Sequence, residues 1–510
     1  MRALISVYDK GGLDELGSGL HELGWELVAS GGTAAFLEEH GLPVTRLETL
    51  TGFGEMLGHR VVTLHPAVHG GILARRDVPE DLADLDAHGI EPFDLVVVNL
   101  YPFSETASRR GVTEEEAVEM IDIGGPALLR AAAKNFRHVG VVARPESYGR
   151  VLDELRESGA LSLDTRRSLA GEAFVVTASY ESAISAWFGA RESFPEGLIP
   201  TFWKERNLAY GENPHQRAAY YAEAGARRHL LSRVDQLGGR DLSYNNLNDL
   251  SAARQLVEEF TLPAAVIVKH ANPCGVAVAG SIDAAYARAL GSDPVSAFGG
   301  VVVLNRPVSA GLAEQISAQF VEVLFAPGYE DGALDVLRRK EAVRILDSTE
   351  RRTVQPDERD YRRVVGGLLA QDRDIDVEDR EGMVVVCGEP GEADWGDLLF
   401  AWRVCKHVTS NAIVIARELR TIGIGAGQMS RVDSVRIALE KAREHGHDLT
   451  GAALASDAFF PFPDGPMLAL DAGVRAIIQP GGSKRDSDVV AAVESAGATM
   501  VFTGRRHFRH

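Results

Sequence analysis

The sequence predicts an α/β protein of two domains, the second carrying an internal duplication. Three observations lead there. At 510 residues the chain exceeds what one hydrophobic core usually serves. Its first part alternates short, unbroken Val/Ile/Leu runs with amphipathic helical stretches, the pattern of parallel strands buried on both faces and joined by helical crossovers. Its second part contains two stretches that echo one another in order and composition.

In chain order, the strands of the first domain are carried by "ALISVY", "WELVAS", "FDLVVVNLYPF" and "HVGVVA". From Leu169 an apolar stripe at steps of three or four runs through Ala173, Val176, Tyr180, Ile184 and Trp187, so a helix closes the domain. Beyond it "RESFPEGLIPTFWKERN" has two prolines and no periodicity. That places the boundary near residue 197 and divides the chain into 1–196 and 197–510. In the second domain "AAVIVKHANPCGVAVAG", a helical stretch and "SDPVSAFGGVVVL" are answered by "NAIVIARELRTIGIGAG", a helix and "SDAFFPF". Each copy reads strand, strand, helix, then an Asp followed by Ala-Phe. The charged segment 330–363 reads as a solvated connection with some helix.

Composition narrows the function. The chain is 45% apolar and 25% charged, as ordinary globular proteins are. A net charge of −20 argues against nucleic-acid or anionic-membrane binding, both of which reward a basic face. Any anionic ligand must be met by a few local cations and backbone amides. Three cysteines (Cys274, Cys387, Cys405) build no disulfide framework, and no apolar run suits a signal peptide or a membrane span. The expected location is the cytoplasm.

Several motifs carry chemistry. "SVYDKGG" and "SGGT" each follow a strand, where Gly-rich turns let backbone N–H groups converge on a phosphate; Lys10 and Thr33 stand beside them. In "HRVVTLHPAVHGGIL" His65 and His69 are four apart, but Pro66 interrupts the helix that a shared metal would need. Arg60 and Thr63 are better partners for phosphate or carboxylate. "IDIGGPALLRAAAKN" sets Asp122 before a Gly-Gly-Pro helix start and Lys134 three turns on; a cap and a surface charge is the plain alternative. Cys274 in "NPCG" lacks the second Cys and the His-x-Glu of zinc deaminases, since Val276 and Ala277 fill the partner positions. It reads as a small buried residue. "GIGAGQ" mimics a dinucleotide fingerprint without the acidic residue that should follow. Lys269-His270, at the end of an apolar strand, joins a cation to an imidazole suited to proton transfer near neutrality.

Side by side, these segments carry a resemblance. "SGGT", "TLHPAVHGGIL", "NLYPF", "IDIGGPALLRAAAKN", "YGENPHQ", "KHANPCG", "SAFGG", "GIGAGQMSR", "SDAFFPF", "QPGGS" and the terminal "RHFRH" follow one another over essentially the whole length. In them the chain resembles the bifunctional purine biosynthesis family, which joins an IMP cyclohydrolase to an aminoimidazole carboxamide ribonucleotide (AICAR) transformylase. The resemblance implies a methylglyoxal-synthase-like parallel-sheet domain followed by a duplicated cytidine-deaminase-like α/β domain without catalytic zinc. It implies 10-formyltetrahydrofolate as co-substrate and no tightly bound cofactor. AICAR, formyl-AICAR, IMP and folate are the implied ligands, bound by a homodimer with transformylase sites at its interface.

The resemblance also assigns roles. For formyl transfer it implies His270 as general base, Lys269 as stabiliser of the tetrahedral charge and Asn411 as the orienting group. Tyr210, Phe298, Gly299, Glu322, Arg431, Phe459, Asp464, Arg506 and His510 are the implied substrate contacts. For ring closure it implies Lys134 as proton donor with Asp122 and Tyr101 beside it. Tyr8, Asp9, Lys10, Ser30, Gly31, Gly32, Thr33, Arg60, Thr63, Asn99, Ile123 and Gly124 would hold that nucleotide. Three positions depart from the family pattern: Tyr8 where Ser is common, Val62 where a Lys is common and Ala209 where an Arg is common. Arg60 and Arg206 are the neighbouring substitutes. Two rival readings are a zinc nucleoside deaminase, separated by metal analysis, and a regulatory phosphate-binding first domain. Lys134 with Asp122 argues against the second.

Overall fold

The computed structural model describes residues 1–510 except 55, 58–59, 191, 225–229, 351–357 and 376–379. One compact unit runs Met1–Trp203, and a second takes up the chain from Lys204 to His510 apart from a short return around Glu223.

In the first unit, β1 (Arg2–Val7), β2 (Glu26–Ala29), β3 (Val44–Arg46), β4 (Leu95–Asn99) and β5 (Gly140–Val142) form a parallel sheet in the order β3-β2-β1-β4-β5. Their apolar runs are unbroken because helices cover both faces; Leu4, Ile5, Val28, Val96, Val97 and Val141 are fully buried. The chain winds one way from β1 to β3 and the other way from β4, so a crevice opens at the carboxyl ends of β1 and β4. The closing helix, Leu163–Phe188, buries Leu169 and Ala173 and leaves Tyr180, Ile184 and Trp187 half-buried. Pro66 opens a helix, Pro66–Leu73, with the His65 ring accepting from the Ala67 amide as its cap. That use of His65 follows from proline's fixed φ and missing N–H, which suit a first helical turn.

The strands β6 (Phe202–Leu208) and β7 (Ala218–Glu223) pair in a small sheet of their own. Among the described residues the second unit is built on one sheet of twelve strands. Its first half comprises β8 (Asp235–Gly238), β9 (Ala264–Lys269), β10 (Asn272–Val278), β11 (Gly300–Leu304), β12 (Val321–Ala326) and β13 (Arg344–Asp347). A hairpin, β14 (Arg359–Val364) with β15 (Gly367–Asp372), stands apart. The second half comprises β16 (Val384–Cys387), β17 (Ile413–Arg417), β18 (Arg420–Gly425), β19 (Ala453–Ser456), β20 (Ala476–Gln479) and β21 (Thr499–Phe502).

The order β16-β21-β20-β19-β17-β18-β10-β9-β11-β12-β13-β8 is symmetric about the β18–β10 pair. Each half is a hairpin, a third strand antiparallel to the hairpin's first, two further parallel strands and an antiparallel edge strand. The echo in the sequence is therefore a duplicated topology. The glycines of "GIGAG" belong to it. A Cβ on Gly425 would lie 1.9 Å from the Ser434 carbonyl oxygen, and one on Gly275, in the first repeat, 2.1 Å from that of Ala289. Those glycines let a helix lie directly on the central hairpins, so they serve packing.

One expectation fails. The charged segment 330–363 is not a solvated connection: Ala333, Val336 and Leu337 are buried on a short helix, and β13 joins the main sheet with Ile345 and Leu346 buried. Apolar residues at the right spacing outweigh a high charge density, because the intervening charges of Arg338, Arg339, Lys340 and Glu341 stay exposed. The part of that segment at 351–357 lies outside the described residues.

Candidate active sites

The first site lies at the crevice between β1 and β4. The Asn99 side chain, at the end of β4, accepts from the amides of Tyr8 (2.6 Å) and Asp9 (3.0 Å) and donates to the Asp9 carbonyl (2.8 Å). It thereby shapes the turn that presents Lys10. The Lys10 ammonium reaches Thr33 Oγ1 at 3.2 Å, and Thr33 in turn bonds the Val7 carbonyl at 3.0 Å. Burial lowers the Lys10 pKa, opposed by Asp9. Ser30 precedes the helix Gly31–Glu39, and Thr33 in its first turn is the residue that meets Lys10. The arrangement is a cation beside a helix N-terminus, which suits a phosphate.

Asp122 and Lys134 bracket the neighbouring helix, Gly124–Lys134. The Asp122 carboxylate accepts from the Gly125 amide at 2.8 Å, while its own N–H donates to the Tyr180 hydroxyl at 2.7 Å. Burial raises the Asp122 pKa, partly offset by amides including those of Gly125, Tyr101 and Gly124. Asp122 is thus a helix cap and a half-desolvated acid at once. The Tyr101 pKa is raised too, first by burial and then by Asp122. The rings of Tyr8 and Tyr101 meet edge to face at 5.5 Å, so the Tyr8 departure puts an aromatic wall into the crevice. A Cβ on Gly124 would lie 2.5 Å from Thr63 Oγ1, which places Thr63 against the start of this helix. Ile123 and Lys134 are exposed.

Arg60 is not a free substitute for the cation missing at Val62. Its guanidinium is paired with Glu119, Nε to Oε2 at 3.2 Å. Val62 itself is half-buried and packs against the core beneath. Val62→Lys should tighten nucleotide binding by roughly 0.5–3 kcal/mol if its ammonium reaches a ligand anion from that position. Titration calorimetry with IMP reads the change. Unchanged affinity would show that Lys10 and the helix amides already carry the anion.

The second site is built where β9 turns into β10. Lys269 pairs with Asn272, leaving His270 and Ala271 as a two-residue turn with φ of 51° and 59°. The Lys269 ammonium donates to the carbonyls of Phe298 (3.1 Å) and Gly299 (2.9 Å), which fixes it at the strand end. Phe298 is exposed and its ring lies 5.4 Å from that of Phe320. Glu322 accepts from the Asn246 amide at 2.8 Å. Cys274 is inert: its thiol donates to the Ile267 carbonyl at 3.5 Å, and burial pushes its pKa up to about 12.

The opposite repeat supplies Asn411. Its Nδ2 donates to the Gln428 carbonyl at 2.8 Å and its Oδ1 accepts from Arg431 at 2.9 Å. Arg431 is buried with Asp457 and also donates to Ser456 Oγ at 2.8 Å. Asn272 Oδ1, two residues after His270, accepts from the Thr409 amide at 2.9 Å and laces the two segments together. His510 joins Ser410, Asn411, Gln428 and Met429 around a cavity of about 240 Å³. Among the described residues no hydrogen bond or ring contact ties Tyr210, Phe459, Asp464 or Arg506 to the His270 turn.

Sequence reading gave no site role to Asp249, Asn272, Asp457 or Tyr180. Tyr180 stood only in the closing helix's apolar stripe, Asn272 only inside "KHANPCG", and Asp457 only as the Asp of the echoed "SDAFF". Among the described residues no group of three His, Cys, Asp or Glu side chains is placed to hold a metal, and no helix is long and apolar enough to cross a membrane.

Comparison with known proteins bears on both sites. A family model described as MGS-like domain matches residues 12–127, and one described as AICARFT/IMPCHase bienzyme matches residues 132–441. Three curated relatives are named bifunctional purine biosynthesis protein PurH. The one from Magnetococcus marinus is 50% identical over 533 residues, spanning 100% of this chain and 99% of its own. Those from Chloroflexus aurantiacus and Persephonella marina are 51% and 48% identical, with the same coverage. The chain belongs to the AICARFT/IMPCHase bienzyme family and carries the two activities of the last steps of IMP synthesis, formyl transfer to AICAR and ring closure of the product.

Proposed function

We propose that formyl transfer uses 10-formyltetrahydrofolate at the His270 turn and that ring closure occurs at the Asp122–Lys134 helix. The observation that carries the first assignment is the strand end that fixes Lys269 beside His270 and is laced to Asn411 through Asn272 and Thr409. The AICAR amine attacks the formyl carbon, and His270 takes the amine proton. An ammonium has three donors, and two of Lys269's meet the Phe298 and Gly299 carbonyls. The third serves the oxygen of the tetrahedral intermediate. Collapse breaks the bond to the folate nitrogen, which leaves with a proton. Asn411, held through both ends of its amide, orients the reacting groups.

In ring closure the carboxamide nitrogen of formyl-AICAR attacks its own formyl carbon, and the resulting hydroxyl leaves as water. The proton is assigned to Lys134 at the last turn of the helix Gly124–Lys134, while Asp122 and Tyr101 stand together at its first turn. Because the step is intramolecular, positioning provides much of the rate. Lys10 with Ser30–Thr33 takes the phosphate. A cytoplasmic homodimer completes the transformylase site; exposed Phe298, Met429 and Phe508 beside these groups support a second subunit closing over them. Supplying AICAR and 10-formyltetrahydrofolate should yield IMP, and formyl-AICAR that accumulates without IMP would remove the ring-closure assignment.

The two activities are assigned to 1–196 and 197–510, and the compact units divide after Trp203. A protein of residues 1–203 should convert formyl-AICAR to IMP without folate. If that protein is folded by circular dichroism yet inert, cyclisation does not belong to this unit.

A further inference from the structure

The His270 turn poses a physical problem of its own. A two-residue hairpin turn with both central residues at positive φ favours Asn-Gly, because a Cβ crowds the backbone there. Here the two residues are His and Ala, with φ of 51° and 59°. Something outside the turn must hold them.

That group is a carboxylate. Asp249 projects from the helix Tyr244–Val257 and is only 9% exposed. It accepts from the Ala271 amide at 2.7 Å and from the His270 amide as well. Its burial raises its pKa, and those two amides, with the charges of His270 and Lys269, work in the other direction. One helical turn earlier, Asn246 holds Glu322. The same helix face therefore anchors both the His270 turn and a second predicted substrate contact.

The duplication shows the device twice. In the second repeat the turn is Glu418–Leu419, with φ of 55° and 58°. Asp397, on the corresponding helix Glu392–Cys405, accepts from the Glu418 amide at 2.8 Å and the Leu419 amide at 2.7 Å. The two clamps share a geometry, but only one grips an imidazole.

We propose that Asp249 is a positioning residue for formyl transfer: by accepting both amides of the His270–Ala271 turn it fixes the backbone from which the His270 ring reaches the substrate amine. This rests on the reading of His270 as general base. Asp397 performs the same service for a turn without chemistry, so it is an internal control for the structural part of the effect.

In Asp249→Asn one amide N–H faces a side-chain NH2 in place of an oxygen. The full-length variant should lose about 10–100-fold in kcat for formyl transfer, with the KM for AICAR within a few-fold and cyclisation of formyl-AICAR unchanged. Asp397→Asn should lower the melting temperature similarly yet keep kcat within about twofold. Ala271→Gly removes the Cβ that makes the turn costly, so adding it to Asp249→Asn should restore most of the lost kcat. The double variant also keeps the question measurable should Asp249→Asn fold poorly. Wild-type kcat in Asp249→Asn would overturn the proposal, as would an equal loss in Asp397→Asn or no recovery in the double variant. Undiminished transfer by His270→Ala is a separate result, which overturns the assignment of the base itself.

Discussion

His270→Ala should abolish formyl transfer and spare ring closure. Loss of a positioned base costs about 10²–10⁴-fold, well above what lost packing at an exposed turn residue would do to turnover. His270 is exposed, so the substitution opens no core cavity, and the first unit's sheet and helices do not include it. Cys274→Ala is the paired measurement. Its thiol is held protonated against the Ile267 carbonyl and lies among apolar side chains, so both activities should stay within a few-fold of wild type. Separate assays with AICAR plus folate donor, and with formyl-AICAR alone, read the two steps. A Cys274 variant that loses transfer while the His270 variant keeps it reverses the roles within "KHANPCG".

Lys134→Ala should give the mirror result. It should reduce cyclisation of formyl-AICAR by about 10²–10⁴-fold while formyl transfer proceeds and formyl-AICAR accumulates. The residue is exposed at the last turn of the helix Gly124–Lys134, where a cation also favours the helix dipole. That structural share is small, about 0.3–1 kcal/mol, and cannot account for a loss of this size. Lys134→Arg is the discriminating companion. It keeps the charge and the dipole interaction but gives up its proton far less readily. A proton-donor role therefore leaves Lys134→Arg impaired, whereas full activity in it would reduce Lys134 to a structural charge.

Much of this protein was legible in its sequence because the relevant signals are local. Unbroken apolar runs such as "LVVVN" and "AAVIVK" mark strands covered on both faces, and these became β4 and β9. The repeated order of strand, strand and helix marked the duplication that the sheet displays as symmetry. The motifs at strand ends, Lys269-His270 and the Gly-rich turns after β1 and β2, are where the chemistry is proposed. What the sequence could not decide is which distant groups hold those ends in shape. Asn99 reaches the Tyr8 turn across 91 positions of chain, and Asp249 reaches Ala271 across 22. Neither pairing leaves a periodicity, because a hydrogen bond across a sheet edge depends on the path of the backbone between the partners. The packing role of the "GIGAG" glycines and the buried residues around β13 were hidden for the same reason: a close helix approach and a buried strand face exist only once the chain is folded.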